Sequence, residues 1–293
     1  MLYVFMAIAI VLSVFSNIIL HSYKNRDFKT PGDVFLFNSG ISLVWLVVLI
    51  IWSLISGDFV ISRGSVFFGV IYGVTLALFL YFKTQSMSTG PVALTSLISN
   101  CAFLVATGFG VVYADEIVKP LQGVGMGIIL ISLLLCVNPK KSEEKLTLKW
   151  FIYCFAFFLA GGFIGIFYKI FNKSDAAQEV NSMMLTAAIV SSVLFAVFGF
   201  IINGVTKQQA KPKVYKKSLI YMLLRGIAGC IYIRMNVSLS GQIPSVIFFP
   251  VSNGANVILS TLCGQFLFKE KLSTQQKIGI IIGLIAIVMI GVA

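Results

Sequence analysis

Residues 34–56 read VFLFNSGISLVWLVVLIIWSLIS, a continuous run that contains no charged side chain. An α-helix needs about 20 such residues to cross the hydrocarbon core of a bilayer. The rest of the chain has the same character, because hydrophobic residues make up 58% of its 293 residues and charged residues only 11%. Soluble domains carry about a quarter of their residues charged. The composition therefore indicates an integral membrane protein.

Similar apolar runs, each bounded by charged or turn residues, predict an all-α protein with ten transmembrane helices. The predicted spans, numbered 1 to 10, are residues 2–21, 34–56, 65–87, 91–113, 120–137, 150–171, 181–204, 218–238, 244–267 and 278–292. The first run lacks the basic region and the cleavage site of a signal peptide, so we interpret it as a span.

Several classes of function are disfavoured by what the sequence lacks. It contains no GxxxxGK[ST] phosphate loop, and its single histidine excludes an HExxH zinc site. The five cysteines lie in apolar runs without a CxxC pair and are interpreted as packing residues. The net charge of +12 is concentrated in short loops, where it contacts lipid headgroups. We expect no enzymatic activity, no cofactor, no metal and no nucleic-acid binding.

The second half of the chain repeats landmarks of the first half in the same order. Lys83, Gly90, Pro91, Ser99-Asn100, Glu116, Gln122 and Gly125 correspond to Arg234, Gly241, Pro244, Ser252-Asn253, Glu270, Gln276 and Gly279. Paired repeats are common in secondary transporters. We predict a first repeat at 1–138, a polar linker at 139–149 and a second repeat at 150–293. Because each half has five spans, the repeats must be inverted; chance similarity among apolar helices is the alternative.

The distribution of basic residues predicts the orientation in the membrane. Most of the 22 Lys and Arg residues lie in the loops after spans 1, 5, 7 and 9. The opposite side holds only Arg63, Lys119 and Lys173. The positive-inside rule places the first set of loops in the cytoplasm and both termini outside. We expect a multi-pass protein of the plasma (inner) membrane.

Two segments share one layout of polar and turn residues. After a polar helix end come Gly90-Pro91, an apolar span that closes in Asp115-Glu116, and then Gln122-Gly123-Val124-Gly125. The segment from Pro244 through FKEKLS at 268–273 to Gly279 repeats this layout. Both resemble the EamA half-repeat of the drug/metabolite transporter superfamily. The resemblance implies ten helices in two inverted five-helix repeats around a central cavity, alternating access, and substrates such as amino acids, nucleotide sugars or phosphorylated sugars.

Four basic residues fall inside the predicted spans, namely Lys83, Lys169, Arg225 and Arg234, whereas every acidic residue lies in a loop or at a span end. A charge in the bilayer interior costs about 2.5–3.5 kcal/mol on insertion scales and is a functional candidate by default. Because no carboxylate faces these bases in the sequence, we predict that the cargo is an anion. Lys83 and Arg234 either contact this cargo, reach the headgroups, or pair with Glu116 or Glu270. Lys169 lies near a span end and is interpreted as a snorkelling base.

Uncharged polar residues complete the predicted substrate site. Asn17 and His21 share a face of span 1, and Asn100, Asn253 and Asn256 lie in spans 4 and 9. Embedded amides either link helices or line a wet cavity. Tyr81, Gln85, Tyr232 and Asn236 flank the two matched bases. The tryptophans, Trp45, Trp52 and Trp150, are interpreted as packing residues or interfacial anchors.

Glycines four residues apart predict close helix packing. The pairs are Gly69/Gly73, Gly123/Gly127, Gly161/Gly165 and Gly279/Gly283. Spans 5 and 10 both carry such a pair, which suggests that they pack on each other or form a dimer contact.

These observations predict a secondary transporter, not driven by ATP, that moves a small anionic organic metabolite such as a carboxylate or a phosphorylated compound by alternating access. An amino-acid or drug exporter of broad specificity and a lipid-linked phosphate flippase are the alternatives, and a membrane-embedded enzyme or sensor is disfavoured. The expected partners are the anionic solute and the lipid bilayer, with the protein as a monomer or homodimer.

Overall fold

Helices build the fold throughout the part of the chain that the computed structural model describes, which is residues 1–27, 31–57, 60–89, 92–113, 115–136, 147–205, 216–268 and 273–293. They are α1 (Leu2–Asp27), α2 (Pro31–Ser56), α3 (Arg63–Thr89), α4 (Val92–Cys101), α5 (Phe103–Tyr113), α6 (Pro120–Cys136), α7 (Leu148–Asn172), α8 (Val180–Val205), α9 (Lys216–Gln242), α10 (Ser245–Phe268) and α11 (Thr274–Val292). No strand occurs in these ranges. Among the described helices, α1, α2, α3 and α7 to α11 are long and apolar enough to cross a membrane. The chain is a multi-pass membrane protein.

The predicted span 91–113 differs from expectation because it forms two helices. α4 ends at Cys101 and α5 begins at Phe103. Between them the Ala102 N–H donates to the Ser99 carbonyl, three residues back, at 3.4 Å. Ser and Asn side chains can compete with the helix for backbone hydrogen bonds, and Ser99 and Asn100 lie three and two residues before Ala102. The span is therefore interrupted close to polar residues and without a proline at the break.

The helices form two compact units, and each unit combines both halves of the chain. The first unit contains Met1–Met6, Phe82–Lys169 and Leu239–Ala293, and the second contains Ala7–Tyr81 and Ile170–Ser238. The two repeats at 1–138 and 150–293 were predicted from similarities between the sequences of the two halves, and they stay a prediction. Residues 139–146 of the predicted linker lie outside the described residues.

Glycines and hydroxyl groups join the helices of the second unit. A Cβ built at Gly69 would lie 2.6 Å from the Met183 carbonyl oxygen, and one at Gly73 would lie 2.9 Å from that of Ala187. The predicted close packing of this glycine pair is therefore confirmed, with α8 as the partner of α3. Between α2 and α8, Ser191 Oγ donates to Ser42 Oγ at 3.0 Å. Small residues and interhelical hydrogen bonds are the usual basis of helix association in lipid.

A carboxylate ties the start of α3 to the loop before α8. The Ser62 N–H donates to Glu179 Oε2 at 2.9 Å. Ser62 also caps α3 through its hydroxyl, which accepts from the Ser65 N–H at 3.1 Å. Hydrogen bonds from the Ser65 and Ser62 hydroxyls hold the pKa of Glu179 below its ordinary value. A negative charge is favourable at a helix N-terminus, so Glu179 stabilises this end of the second unit.

In the first unit, α6 packs closely on α11. A Cβ at Gly283 would lie 2.4 Å from Ser132 Oγ, and one at Gly279 would lie 2.9 Å from Leu135 Cβ. The prediction that spans 5 and 10 pack on each other is confirmed. The prediction for Gly123/Gly127 is wrong, because nothing lies within 4 Å of a Cβ built at Gly127. The contact on α6 is made by Gly125 instead.

Gly125 and Gly127 offer a matched test of this packing. A Cβ at Gly125 would lie 2.7 Å from Ile290 Cγ1. We expect Gly125→Val to destabilise the protein by about 1–3 kcal/mol, the usual cost of overpacking. Gly127→Val should leave stability within about 0.5 kcal/mol, because its side chain meets open space. Thermal unfolding of the purified variants in detergent measures both effects; equal unfolding temperatures would contradict the α6–α11 contact.

Candidate functional site

A buried ion pair in the first unit corrects the expectation that the embedded bases lack a carboxylate. Lys169, near the end of α7, is only 8% exposed. Its Nζ lies 3.1 Å from Glu116 Oε1 and also donates to the Ile243 carbonyl at 3.0 Å. The base that was expected to snorkel is instead neutralised inside the protein. Lys169 therefore requires no anionic cargo.

Glu116 also caps the start of α10. Its Oε2 accepts a hydrogen bond from the Val246 N–H at 3.2 Å. Burial raises the pKa of Glu116, but the hydrogen bonds from the Ser245 backbone, Lys169 and Val246 outweigh burial and leave the pKa below the ordinary value of 4.5. Asp115, with φ of 51°, turns the chain just before Glu116. The first half of the chain thus supplies a charged cap to a helix of the second half.

A polar stripe runs along α10 in the first unit. Ser252, Asn256 and Ser260 follow one another at four-residue intervals, and Asn253 lies beside them. The Asn253 amide donates to the Phe249 carbonyl at 2.9 Å, and the Ser260 hydroxyl donates to Asn256 Oδ1 at 3.3 Å. Ser252 Oγ is buried and has no hydrogen-bond partner among the described residues. The stripe thus gathers the amides predicted for the substrate site, Asn253 and Asn256, beside two serines.

A helix break and a proline inside a helix lie close to matched polar residues. Pro250 lies inside the continuous helix α10, two residues before Ser252, and the break at Ala102 comes two residues after Asn100. α10 packs against both α4 and α5, so these two features belong to one helix group of the first unit. Discontinuous helices form the substrate sites of many secondary transporters. The sequence identified the polar residues but not the break at Ala102.

Arg234 was predicted to contact an anionic cargo, but its side chain has partners within the second unit. Its Nε donates to Asn181 Oδ1 at 2.8 Å. Its guanidinium lies over the Trp52 ring, 4.8 Å from the centroid. Cation–π stacking and this hydrogen bond stabilise the charge without a ligand. Neither Asn181 nor Trp52 was a predicted site residue, because nothing in the sequence shows that residues of α8 and α2 lie beside Arg234.

Arg225 lies on a different side of α9 from Arg234. Nine residues separate the two, which is about two and a half turns of helix. Arg225 instead shares its face with Tyr232, and the two side chains are close enough to interact electrostatically. Asn236, four residues beyond Tyr232, continues the same face. One face of α9 therefore presents Arg225, Tyr232 and Asn236, and the other presents Arg234.

The remaining predicted site residues are distributed over both units. Tyr81 packs in an aromatic cluster of the second unit, 5.3 Å from Phe198 between ring centroids. Asn17 also lies in the second unit, whereas Lys83 and Gln85 lie in the first. The side chain of His21 lies outside the described residues, as do Gly90, Pro91 and Glu270. The role of these residues in binding stays a prediction.

Comparison with known proteins places the chain in a transporter family. The family described as "Sugar transport protein" matches residues 29–293. The chain belongs to this sugar transport protein family. It is a family of membrane transporters similar to the drug/metabolite transporters.

Two further comparisons concern individual proteins rather than the family. Comparison of this member of the sugar transport protein family with curated proteins finds no match. A solved structure described only as "Crystal structure of protein" aligns with 98% of this chain and 98% of its own chain. Its TM-score is 0.77 and its sequence identity 13%. At this identity the likeness shows the fold alone.

In this member of the sugar transport protein family, Glu116→Gln tests the ion pair. We expect a lower unfolding temperature at pH 7, because breaking one partner of a buried pair costs up to about 3–5 kcal/mol. The folded-state pKa of Glu116 is lowered, so the pair contributes fully above pH 4.5 and is lost as the pH falls through that folded-state pKa. The unfolding temperatures of the wild type and the variant should therefore converge below pH 4.5.

Asp115→Asn is the matched control for this experiment. Asp115 is exposed and adopts a left-handed conformation that Asn also tolerates. Its unfolding temperature should follow that of the wild type across the pH range. A Glu116→Gln variant as stable as the wild type at pH 7 would contradict the contribution of the pair.

Proposed function

We propose that this protein is a secondary transporter that carries a sugar or sugar derivative across the plasma membrane by alternating access, without ATP hydrolysis or chemical conversion of the cargo. The observation that carries the proposal is the family match, which extends over residues 29–293 of a multi-pass membrane protein. The family description supports a sugar rather than the general organic anion expected from the charges.

The pairing of helices supports an inverted repeat behind this mechanism. If each repeat has five spans, α2 corresponds to α8, α6 corresponds to α11, and the broken span α4–α5 corresponds to α10. Each of these helices packs on its own counterpart within one unit. A twofold axis relates each helix of one repeat to its counterpart in the other. A helix that lies next to this axis therefore packs against its own counterpart. The break at Ala102 and the proline at position 250 inside α10 fall in corresponding spans, which fits the same symmetry.

The polar stripe of α10 supports a sugar as the cargo. A sugar offers many hydroxyl groups, each both donor and acceptor, and amides and hydroxyls can match them. Asn253, Asn256, Ser252 and Ser260 supply such groups, and Phe249 lies one turn before Asn253 on the same side of the helix. Orienting polar groups beside an apolar wall are typical of small-molecule sites.

The central test is counterflow in liposomes. Purified protein is reconstituted without ATP, the vesicles are loaded with unlabelled sugar, and the entry of the labelled sugar is followed. The panel includes neutral hexoses and pentoses, an acidic sugar, an amino acid and a cationic dye. We expect labelled sugar to accumulate transiently, whereas vesicles without protein should show only leakage. Entry of the amino acid or the dye alone would contradict the proposal.

Asn253→Ala tests whether the α10 stripe binds the cargo. We expect the variant to fold normally and to lower the affinity for the transported sugar about two- to tenfold, since one hydrogen bond contributes about 0.5–1.5 kcal/mol. Thr261→Ala is the matched control, because Thr261 makes the same type of bond, to the Val257 carbonyl at 2.8 Å, about two helix turns further along α10. Equal affinities in the two variants would remove Asn253 from the site.

A further inference from the structure

In the second unit, α2 and α9 contact each other through glycines. Three glycines lie along the contact: a Cβ built at Gly40 would lie 2.8 Å from Met222 Sδ, and one at Gly226 would lie 2.6 Å from Val44 Cγ1. The third, Gly229, faces Trp45. Residue numbers rise together along both helices, so the helices run parallel here. Glycines at these positions let the two helices pack closely, with Trp45 of α2 against Gly229 of α9.

The indole N–H of Trp45 lies at this contact. Trp45 is 9% exposed, and a Cβ built at Gly229 would lie 3.2 Å from its Nε1 atom. Among the residues that the structure describes, Nε1 has no hydrogen-bond partner. By contrast, the Trp150 indole N–H donates to Thr95 Oγ1 at 3.0 Å. Buried N–H groups are nearly always paired, so this donor needs an explanation.

Arg225 lies one helix turn before Gly229 on the same side of α9. Its Nη1 atom is shielded from solvent and, within the described ranges, has no hydrogen-bond partner. The electrostatic partner that the structure gives it is the neighbouring Tyr232 phenol, not a carboxylate. Arg234, on the same helix, shows how a guanidinium here is satisfied by protein groups alone. Arg225 is therefore left with donor capacity that α2 and α9 do not use.

The chemistry of the two unpaired groups restricts what can satisfy them. Guanidinium and indole nitrogens are donors only and have no acceptor capacity. A sugar hydroxyl can accept a hydrogen bond from these donors, but its own O–H would still need an acceptor, which neither group offers. An ionised carboxylate or phosphate accepts several hydrogen bonds and donates none. A guanidinium also binds an oxyanion through two parallel N–H groups. Both the charge and the donor pattern match an oxyanion.

We propose that Arg225 and Trp45 bind the carboxylate or phosphate group of an acidic sugar, and thereby select an anionic sugar over its neutral parent. The inference rests on the proposed function and names the substrate class of that transporter. Tyr232, on the Arg225 face of α9, adds a phenol that can donate to the same oxyanion. The anionic cargo expected from the sequence thus depends on Arg225, not on Arg234 or Lys169.

The experiment compares ligands that differ only in charge. Binding of D-glucose, D-glucuronate and glucose 6-phosphate to the purified wild type is measured by isothermal titration, and counterflow of each is measured in liposomes. We expect at least one acidic sugar to bind about tenfold or more tightly than glucose, and the two acidic sugars distinguish carboxylate from phosphate. Glucose that binds as tightly as both acidic sugars would overturn the inference without any variant.

Variants at the two donors locate the effect. Arg225→Gln should abolish the preference for the acidic sugar, and Arg225→Lys should retain part of it, because Lys keeps the charge but loses the paired N–H groups. Trp45→Phe should weaken binding of the acidic sugar several-fold without lowering the unfolding temperature of the ligand-free protein, since it removes an unpaired donor. Trp150→Phe, the matched control, should lower that temperature and leave the preference unchanged.

The outcomes separate this inference from the proposed function. Counterflow of neutral sugars alone, unaffected by Arg225→Gln, would support sugar transport and reject the oxyanion site. Binding of glucuronate or glucose 6-phosphate that requires Arg225, without counterflow of any sugar, would support the site and reject transport. An acidic-sugar preference that persists in Arg225→Gln would also reject the site.

Discussion

Glu116 reaches from the loop after α5 to the first N–H groups of α10, and Lys169 of α7 completes the contact. This interaction joins the first half of the chain to two helices of the second half. Glu179 makes the reverse connection in the second unit, from the loop before α8 to the start of α3. In both cases a carboxylate satisfies backbone N–H groups that a helix start leaves free. Each unit therefore depends on a charged contact between segments far apart in sequence.

The same principle decides which embedded charges remain for a ligand. Lys169 is balanced by a carboxylate, and Arg234 is satisfied by an amide and an aromatic ring. Arg225 is different, since the structure gives its Nη1 atom no partner among the described residues. A buried group that its own protein leaves unpaired is a good indicator of a binding site. To find the embedded charges that remain free to bind a ligand, the hydrogen-bond partners of each group were a better guide than the net charge inside the membrane.

Much of the fold could be predicted because bilayer thickness dictates the length of apolar runs. The spans, the α3–α8 glycine contact and the α6–α11 pair all follow from residue types at helical spacing. The Glu116–Lys169 pair could not be predicted, because its residues are separated by 53 positions and either could have met water or lipid headgroups. The break at Ala102 was equally hidden, since no proline or glycine marks it in the sequence. For the proposed site, the sequence singled out Arg225, Tyr232 and the α10 amides, whose binding role stays a prediction. It did not single out Trp45, whose proposed role depends on its contact with Gly229.

The mixed composition of the two units has a consequence for biogenesis. Each unit needs helices from both halves of the chain, so neither can close before the second half is largely made, and the first unit needs the last helix as well. During that interval α6 lacks its contact with α11, and Glu116 lacks its hydrogen-bond partners in α7 and α10. Newly inserted helices with open glycine surfaces are suitable clients for insertion factors that shield them from wrong neighbours. Assembly of this protein is therefore a late event in its synthesis, concluded when the last helix leaves the translocon.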